Sequence, residues 1–239
     1  MIIMEEKTAE ETKEKVEAAP MTETPQITQS AESKTKKPKM KLPDMKLFGK
    51  WDSFVEVNDP GLRSYINLKP RLVPKSSGAL QKHRFYKSKM HIVERLALHL
   101  LVSGHAGRKH RLSSGRFGGG YTTVLKSVEK ALEIIEKKEN KNPIEVMVRA
   151  IENAAIREEI MTYQMGSVVA RDSVISAPQR RVDKVLRNFA QGSYRKSFGK
   201  NTTLADAIAT ELIAASKNST DSFAVKEKDR VEREALGAR

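Results

Sequence analysis

Cysteine is missing from this 239-residue chain, and tryptophan occurs once. The first absence excludes disulfides, thiolate zinc sites and cysteine nucleophiles. No apolar run approaches the roughly 18 residues that a membrane-spanning helix needs. The start, Met1-Ile2-Ile3-Met4 followed by Glu5-Glu6, lacks the basic and long apolar regions of a secretory signal. A cytoplasmic protein with no membrane partner is therefore expected. No internal repeat occurs at the usual solenoid periods.

Positive charge is abundant. Lys and Arg number 44 against 30 Asp and Glu, a formal net charge of +14. Residues 1–32 run against this trend, with eight acids and three lysines, so residues 33–239 carry a net +19. An excess of that size repels itself in a compact state, and a polyanion relieves the repulsion. RNA or DNA is the expected partner. Charge alone does not rank one above the other.

Residues 1–40 read as a disordered extension, acidic and then Lys-rich, with too little apolar surface to offset chain entropy. Residues 41–90 read as an extended arm with at most a short helix, interrupted by Pro60, Pro70 and Pro74. Residues 91–239 have helical periodicity in five segments. In the first, Ile92, Val93, Leu96, Ala97, Leu100 and Leu101 share a face apolar enough to place it at the centre of the core. Val124, Val128, Leu132 and Ile135 mark the second. The third opens with Asn142, Pro143 and Glu145, a capping signature. Ser176, Pro178 and Gln179 mark the start of the fourth, and Thr203 with Asp206 that of the fifth. A charge-rich sixth segment, 223–236, reads as a surface helix with a frayed end. Between the third and fourth, residues 157–175 hold β-branched runs around Met165-Gly166-Ser167 and predict a hairpin, solvent-exposed on one face. The fold class is mainly α, a bundle of five to six helices with one protruding β-hairpin.

Catalytic patterns fail. All five histidines lie between His83 and His110, and none pairs with an acid at metal-ligand spacing. His99 is expected to be a satisfied core residue. Glu158 and Glu159 are adjacent in a strand, so they point to opposite faces and form no dyad. The loop Ser103–Gly120 holds six glycines with Arg108, Lys109, Arg111 and Arg116, but no Gly-Lys-Ser/Thr of a phosphate loop. No enzyme, cofactor, metal or small-molecule substrate is expected.

Basic clusters remain. On the fourth helix Arg180, Lys184 and Arg187, flanked by Arg181, lie opposite Val182, Val185, Leu186 and Phe189. Only Asp183 interrupts them, which suits a nucleic-acid face. A second cluster, Lys82, Arg84, Lys87 and Lys89 with His83, surrounds Phe85 and Tyr86. Those rings either stack on unpaired bases or dock the arm on the core. Arg195, Lys196 and Lys200, around Tyr194 and Phe198, pose the same choice. The basic glycine-rich loop suits closure on a phosphate backbone. An exposed Met165 at the hairpin tip, beside Gly166 and Ser167, suits contact with RNA or a protein.

These stretches resemble a known family. Ile92-Val93-Glu94-Arg95-Leu96, Ala131-Leu132-Glu133-Ile134-Ile135, the run Asn142 to Ile151 and Pro178-Gln179-Arg180-Arg181-Val182 occur in the order found in the small-subunit ribosomal protein seven family. Leu47-Phe48-Gly49-Lys50-Trp51 and Ser222 to Asp229 resemble its archaeal and eukaryotic branch. The resemblance covers about residues 46–239. It implies direct, early binding of small-subunit ribosomal RNA, a part in organising the subunit head, and a position among neighbouring small-subunit proteins near exit-site tRNA and the mRNA exit path. It implies that the hairpin and the basic helical face share in these contacts. Residues 1–32 resemble nothing in that family, and loop 104–120 is longer than in its shorter members. A helical DNA-binding or chromatin-type protein is the competing reading, with the fourth helix in a major groove. A hairpin in place of a preceding helix and tight turn weighs against it.

Overall fold

Six helices of nine residues or more and one antiparallel hairpin form the described part of the computed structural model, residues 45–104 and 118–238. The expected extension 1–40 and the loop bases Arg108, Lys109, Arg111 and Arg116 lie outside it. Short turns come first: α1 (Pro60–Arg63), α2 (Ala79–Lys82) and a 3-10 turn (Tyr86–Lys89). Then come α3 (Ile92–Leu100), α4 (Tyr121–Glu139), α5 (Pro143–Ala154), β1 (Glu158–Met165), β2 (Val168–Ile175), α6 (Pro178–Ser197), α7 (Leu204–Ser216) and α8 (Phe223–Leu236). None of these helices is long and apolar enough to cross a membrane.

The helix starts follow local chemistry. Asn142 accepts a hydrogen bond from the Ile144 N–H, with Pro143 in the first turn of α5. Thr203 caps α7 by accepting from the Asp206 N–H. The fourth predicted helix departs from expectation at its start. Ser176 does not cap α6; its hydroxyl donates to Glu159 at 2.7 Å, and the cap residue is Ala177.

The core lies among α3 to α8. Helix α3 is nearly wholly buried, as its breadth of apolar residues requires. The central place nevertheless belongs to α7, which packs against α4, α5 and α6. Its buried residues are largely alanines, Ala205, Ala207, Ala209 and Ala215 with Ile208 and Leu212. Small side chains let neighbouring helices approach from several sides, a role that apolar bulk does not signal. The two buried charges of α3 are answered by the arm and by α6. Glu94 accepts from the Ser76 N–H and hydroxyl, and Arg95 donates to the Tyr65 carbonyl and to Asp183. Trp51 is buried and donates to Glu136 at 2.9 Å.

Helix α8 is more firmly seated than a frayed surface helix. Ala224, Val225 and Ala235 are buried, and the Ser222 hydroxyl caps its start while donating to Glu211 of α7. Glu211 is fully buried; it also accepts from the Ala224 N–H and pairs with Lys196 at 2.6 Å. Gly192 of α6 faces this carboxylate, where a Cβ would come within 2.9 Å of both Glu211 and Phe223.

The hairpin turns on a two-residue loop, Gly166-Ser167, with Gly166 at φ +60°. Its base is held: Ser176 N–H donates to the Arg157 carbonyl, and Arg157 N–H to Glu232 of α8. Beyond Ile160 the strands are mostly exposed on both faces, not on one as the alternation suggested. Met165 and Val168 stand at the tip.

Candidate nucleic-acid interface

Helix α6 divides as its wheel predicts. Val182, Val185, Leu186 and Phe189 are buried, which turns Arg180, Lys184, Arg187 and Arg195 outward. The outer cations differ in their commitments. Arg180 grips Glu159 with a forked pair of hydrogen bonds at 2.6 and 2.9 Å, and Lys184 joins the same carboxylate. Burial opposes the charge on Glu159, but hydrogen bonds from Arg180, Lys184 and Ser176 outweigh it and hold its pKa down at about 2. Arg181 turns sideways, donating to the Ile156 carbonyl and to Asp59 of the arm. Arg187 is exposed and has no ion pair among the described residues.

Asp183, the one acid within α6 itself, lies beneath this face. Burial pushes its carboxyl up, yet His99, Arg95 and Lys87 together hold it well below the usual carboxylate range. His99 is therefore not a core residue: it is half-buried, with Nε2 3.9 Å from Asp183. The buried imidazole is His91, which caps α3 by accepting from the Val93 N–H; burial, aided by the charge of Arg71, lowers its pKa to about 4.

Two open grooves meet on α6. One, about 410 Å³, is lined by Lys87, His99, Gln179, Arg180, Asp183, Lys184 and Arg187. The other, about 390 Å³, is lined by Lys184, Arg187, Asn188, Arg195, Phe223, Glu227 and Arg230 among others. Lys184 and Arg187 are common to both, so the two form one cationic strip. Arg230 is an addition that sequence did not reveal. Its segment read as an ordinary mixed-charge helix, where it pairs with Glu227 and Glu234, and only the packing of α8 on α6 brings it to the strip.

The second cluster lies across the first groove. Lys82, Arg84, Lys87 and Lys89 are exposed, and Lys87 reaches Asp183 at 3.1 Å. Phe85 is 90% exposed, so it does not dock the arm; Tyr86 is half-buried, its ring stacked on His83 with centroids 5.9 Å apart. The third cluster is split. Tyr194 is buried and stacks on Phe198 at 5.0 Å. Arg195 lies over the Phe223 ring at 4.3 Å, Lys196 is held by Glu211, and Lys200 is exposed. Met165, Gly166 and Ser167 are exposed at the hairpin tip, far along the strands from the pinned Glu159.

Cations gathered on one surface are the arrangement that polyanion binding requires. Comparison with known proteins gives it a lineage. Residues 62–239 match the family model described as ribosomal protein S7p/S5e. The small ribosomal subunit protein uS7 of Nanoarchaeum equitans is 47% identical over 196 residues, 82% of this chain and 99% of that protein. Its counterparts in Methanococcus maripaludis and Methanothrix thermoacetophila are 43% and 40% identical, each covered in full by 82% of this chain. With a family model spanning most of its length and full-length relatives at this identity, the chain belongs to the ribosomal protein S7p/S5e family.

Proposed function

We propose that the protein is a non-enzymatic structural component of the small ribosomal subunit that binds small-subunit ribosomal RNA directly. In this reading it helps nucleate the subunit head, sits among neighbouring small-subunit proteins, and places its hairpin near exit-site tRNA and the mRNA exit path. The curated relatives, named small ribosomal subunit proteins, support the ribosomal assignment. The observation that carries RNA contact is the strip through Lys184 and Arg187, where two grooves meet and Arg187 has no ion pair among the described residues. Arg and Lys on such a surface meet phosphates, which position an RNA without reading its sequence. Lys82, Arg84, Lys89, Arg195 and Lys200 extend the strip, and Arg108, Lys109, Arg111 and Arg116 of the glycine-rich loop are further candidates.

The test is titration of the full chain with a small-subunit ribosomal RNA fragment across a salt series, with duplex DNA as competitor. If five to eight phosphates are neutralised, log affinity falls against log salt with a slope of roughly −4 to −7. Duplex DNA displaces the RNA poorly. A slope near zero, or equal competition by DNA, overturns the reading.

A further inference from the structure

We propose that the recess beside Phe85 is a receptor for one unpaired RNA nucleotide, a site for a base as distinct from the phosphate strip on α6. The proposal rests on the RNA-binding reading and deepens it.

Phe85 presents its ring to solvent, with 90% of the residue exposed. Its backbone is left-handed at φ +55°, a region that L side chains rarely adopt. Such a residue packs nothing in the free protein, and the chain holds it where a partner can reach it. Beside it opens a recess of about 600 Å³. Its apolar walls are Tyr65, Leu80, Phe85 and Tyr86. Arg84 and Lys87 stand on its rim, Lys87 paired with Asp183, and among the described residues no acid lines it. Gln179, from the first turn of α6, forms part of the lining, and its side-chain Nε2 is buried with no hydrogen-bond partner among the described residues.

These features specify a composite ligand. The rings ask for a flat apolar face, the amide for an acceptor at the edge of that face, and Arg84 for an adjacent anion. A nucleotide combines all three, the base supplying face and edge and the phosphate the charge. An apolar peptide leaves Arg84 unanswered. A paired base is excluded, because its faces are already stacked within the helix, so the occupant is a bulged or looped nucleotide. The recess borders the α6 groove through Lys87 and Gln179, which line both. An RNA backbone lying along the strip therefore passes within reach of the recess.

The experiment uses the full chain and two RNA probes: a stem with one bulged nucleotide, 2-aminopurine, and the same stem without the bulge. The wild type is expected to bind the bulged stem more tightly, with stacking quenching the probe's fluorescence. Phe85→Ala should weaken binding of the bulged stem by about 5- to 150-fold, the range for removing one aromatic stacking partner. It should leave the unbulged stem and the salt slope unchanged, since no phosphate contact is lost. Phe85→Trp should keep both the preference and the quench. Because the ring is exposed, thermal melting of either variant should match the wild type. If the wild type binds both stems equally along a steep salt slope, the recess proposal falls and the phosphate strip stands. Equal losses on both stems in Phe85→Ala also overturn it. Binding of neither stem overturns the RNA reading itself.

Discussion

Glu159 joins the two properties of α6 that a helical wheel treats separately. Its carboxylate, mostly buried at the hairpin base, spends much of the charge of Arg180 and Lys184 on holding the fold. Folded, it titrates near 2, below its ordinary value of 4.5. Its contribution is therefore complete above about pH 4.5 and lost as the pH falls towards 2. Glu159→Gln should lower stability at neutral pH by about 1–3 kcal/mol, allowing for the solvent around Arg180. It should also flatten the loss of stability between pH 4.5 and 2, read by denaturant titration at a series of pH values. An unchanged acid limb would mean that this carboxylate is not what acid attacks. Leu186→Ala tests the opposite side of the helix; burial there predicts a loss of about 2–5 kcal/mol in the same measurement. The inward side was legible in the sequence because Val182, Val185, Leu186 and Phe189 obey helical spacing. The pinning of Arg180 and Lys184 was not, because their partner lies 21 and 25 residues away on a strand.

At the scale of elements, the hairpin is the part whose base and tip have different tasks. The base is tied to α6 through Glu159 and to α8 through Arg157 and Glu232. The outer half has no such ties into the core, and Met165 and Val168 face solvent. Replacing residues 162–169 with a short Gly-containing turn should therefore leave thermal melting and primary RNA affinity intact, since a two-stranded outer segment contributes little stability alone. Ribosomes carrying the trimmed protein should retain exit-site tRNA less well or hold reading frame less accurately. Normal behaviour in both assays would remove the tip from the functional map. Type and order of the elements were readable because long periodic segments and caps such as Asn142 and Thr203 are local signals. The centrality of α7 was not, because alanines mark a tight crossing only once the neighbours are known.

For the whole molecule, the division of charge along the chain sets the behaviour. The acidic start 1–32, net −5, should repel phosphate. Deleting it should leave RNA affinity the same or slightly higher in the salt titration; a loss of about tenfold would show that it makes contacts of its own, against the screening argument. The arm, by contrast, is committed to the core through Trp51, Tyr65 and Ser76, which its prolines and sparse apolar residues did not disclose. The far end of the chain carries a commitment of another kind. Glu211 is in the interior, and two of its donors, the Ser222 hydroxyl and the Ala224 amide, are supplied by residues made after it. Polypeptides are synthesised from the N-terminus, so α7 emerges with its acid only partly answered until the next dozen residues follow. A chain cut before Ser222 loses both of these donors and keeps the Lys196 pair, and should melt at a lower temperature than the full chain. The interior of the bundle is thus closed from outside α7, by a helix that follows it in the chain.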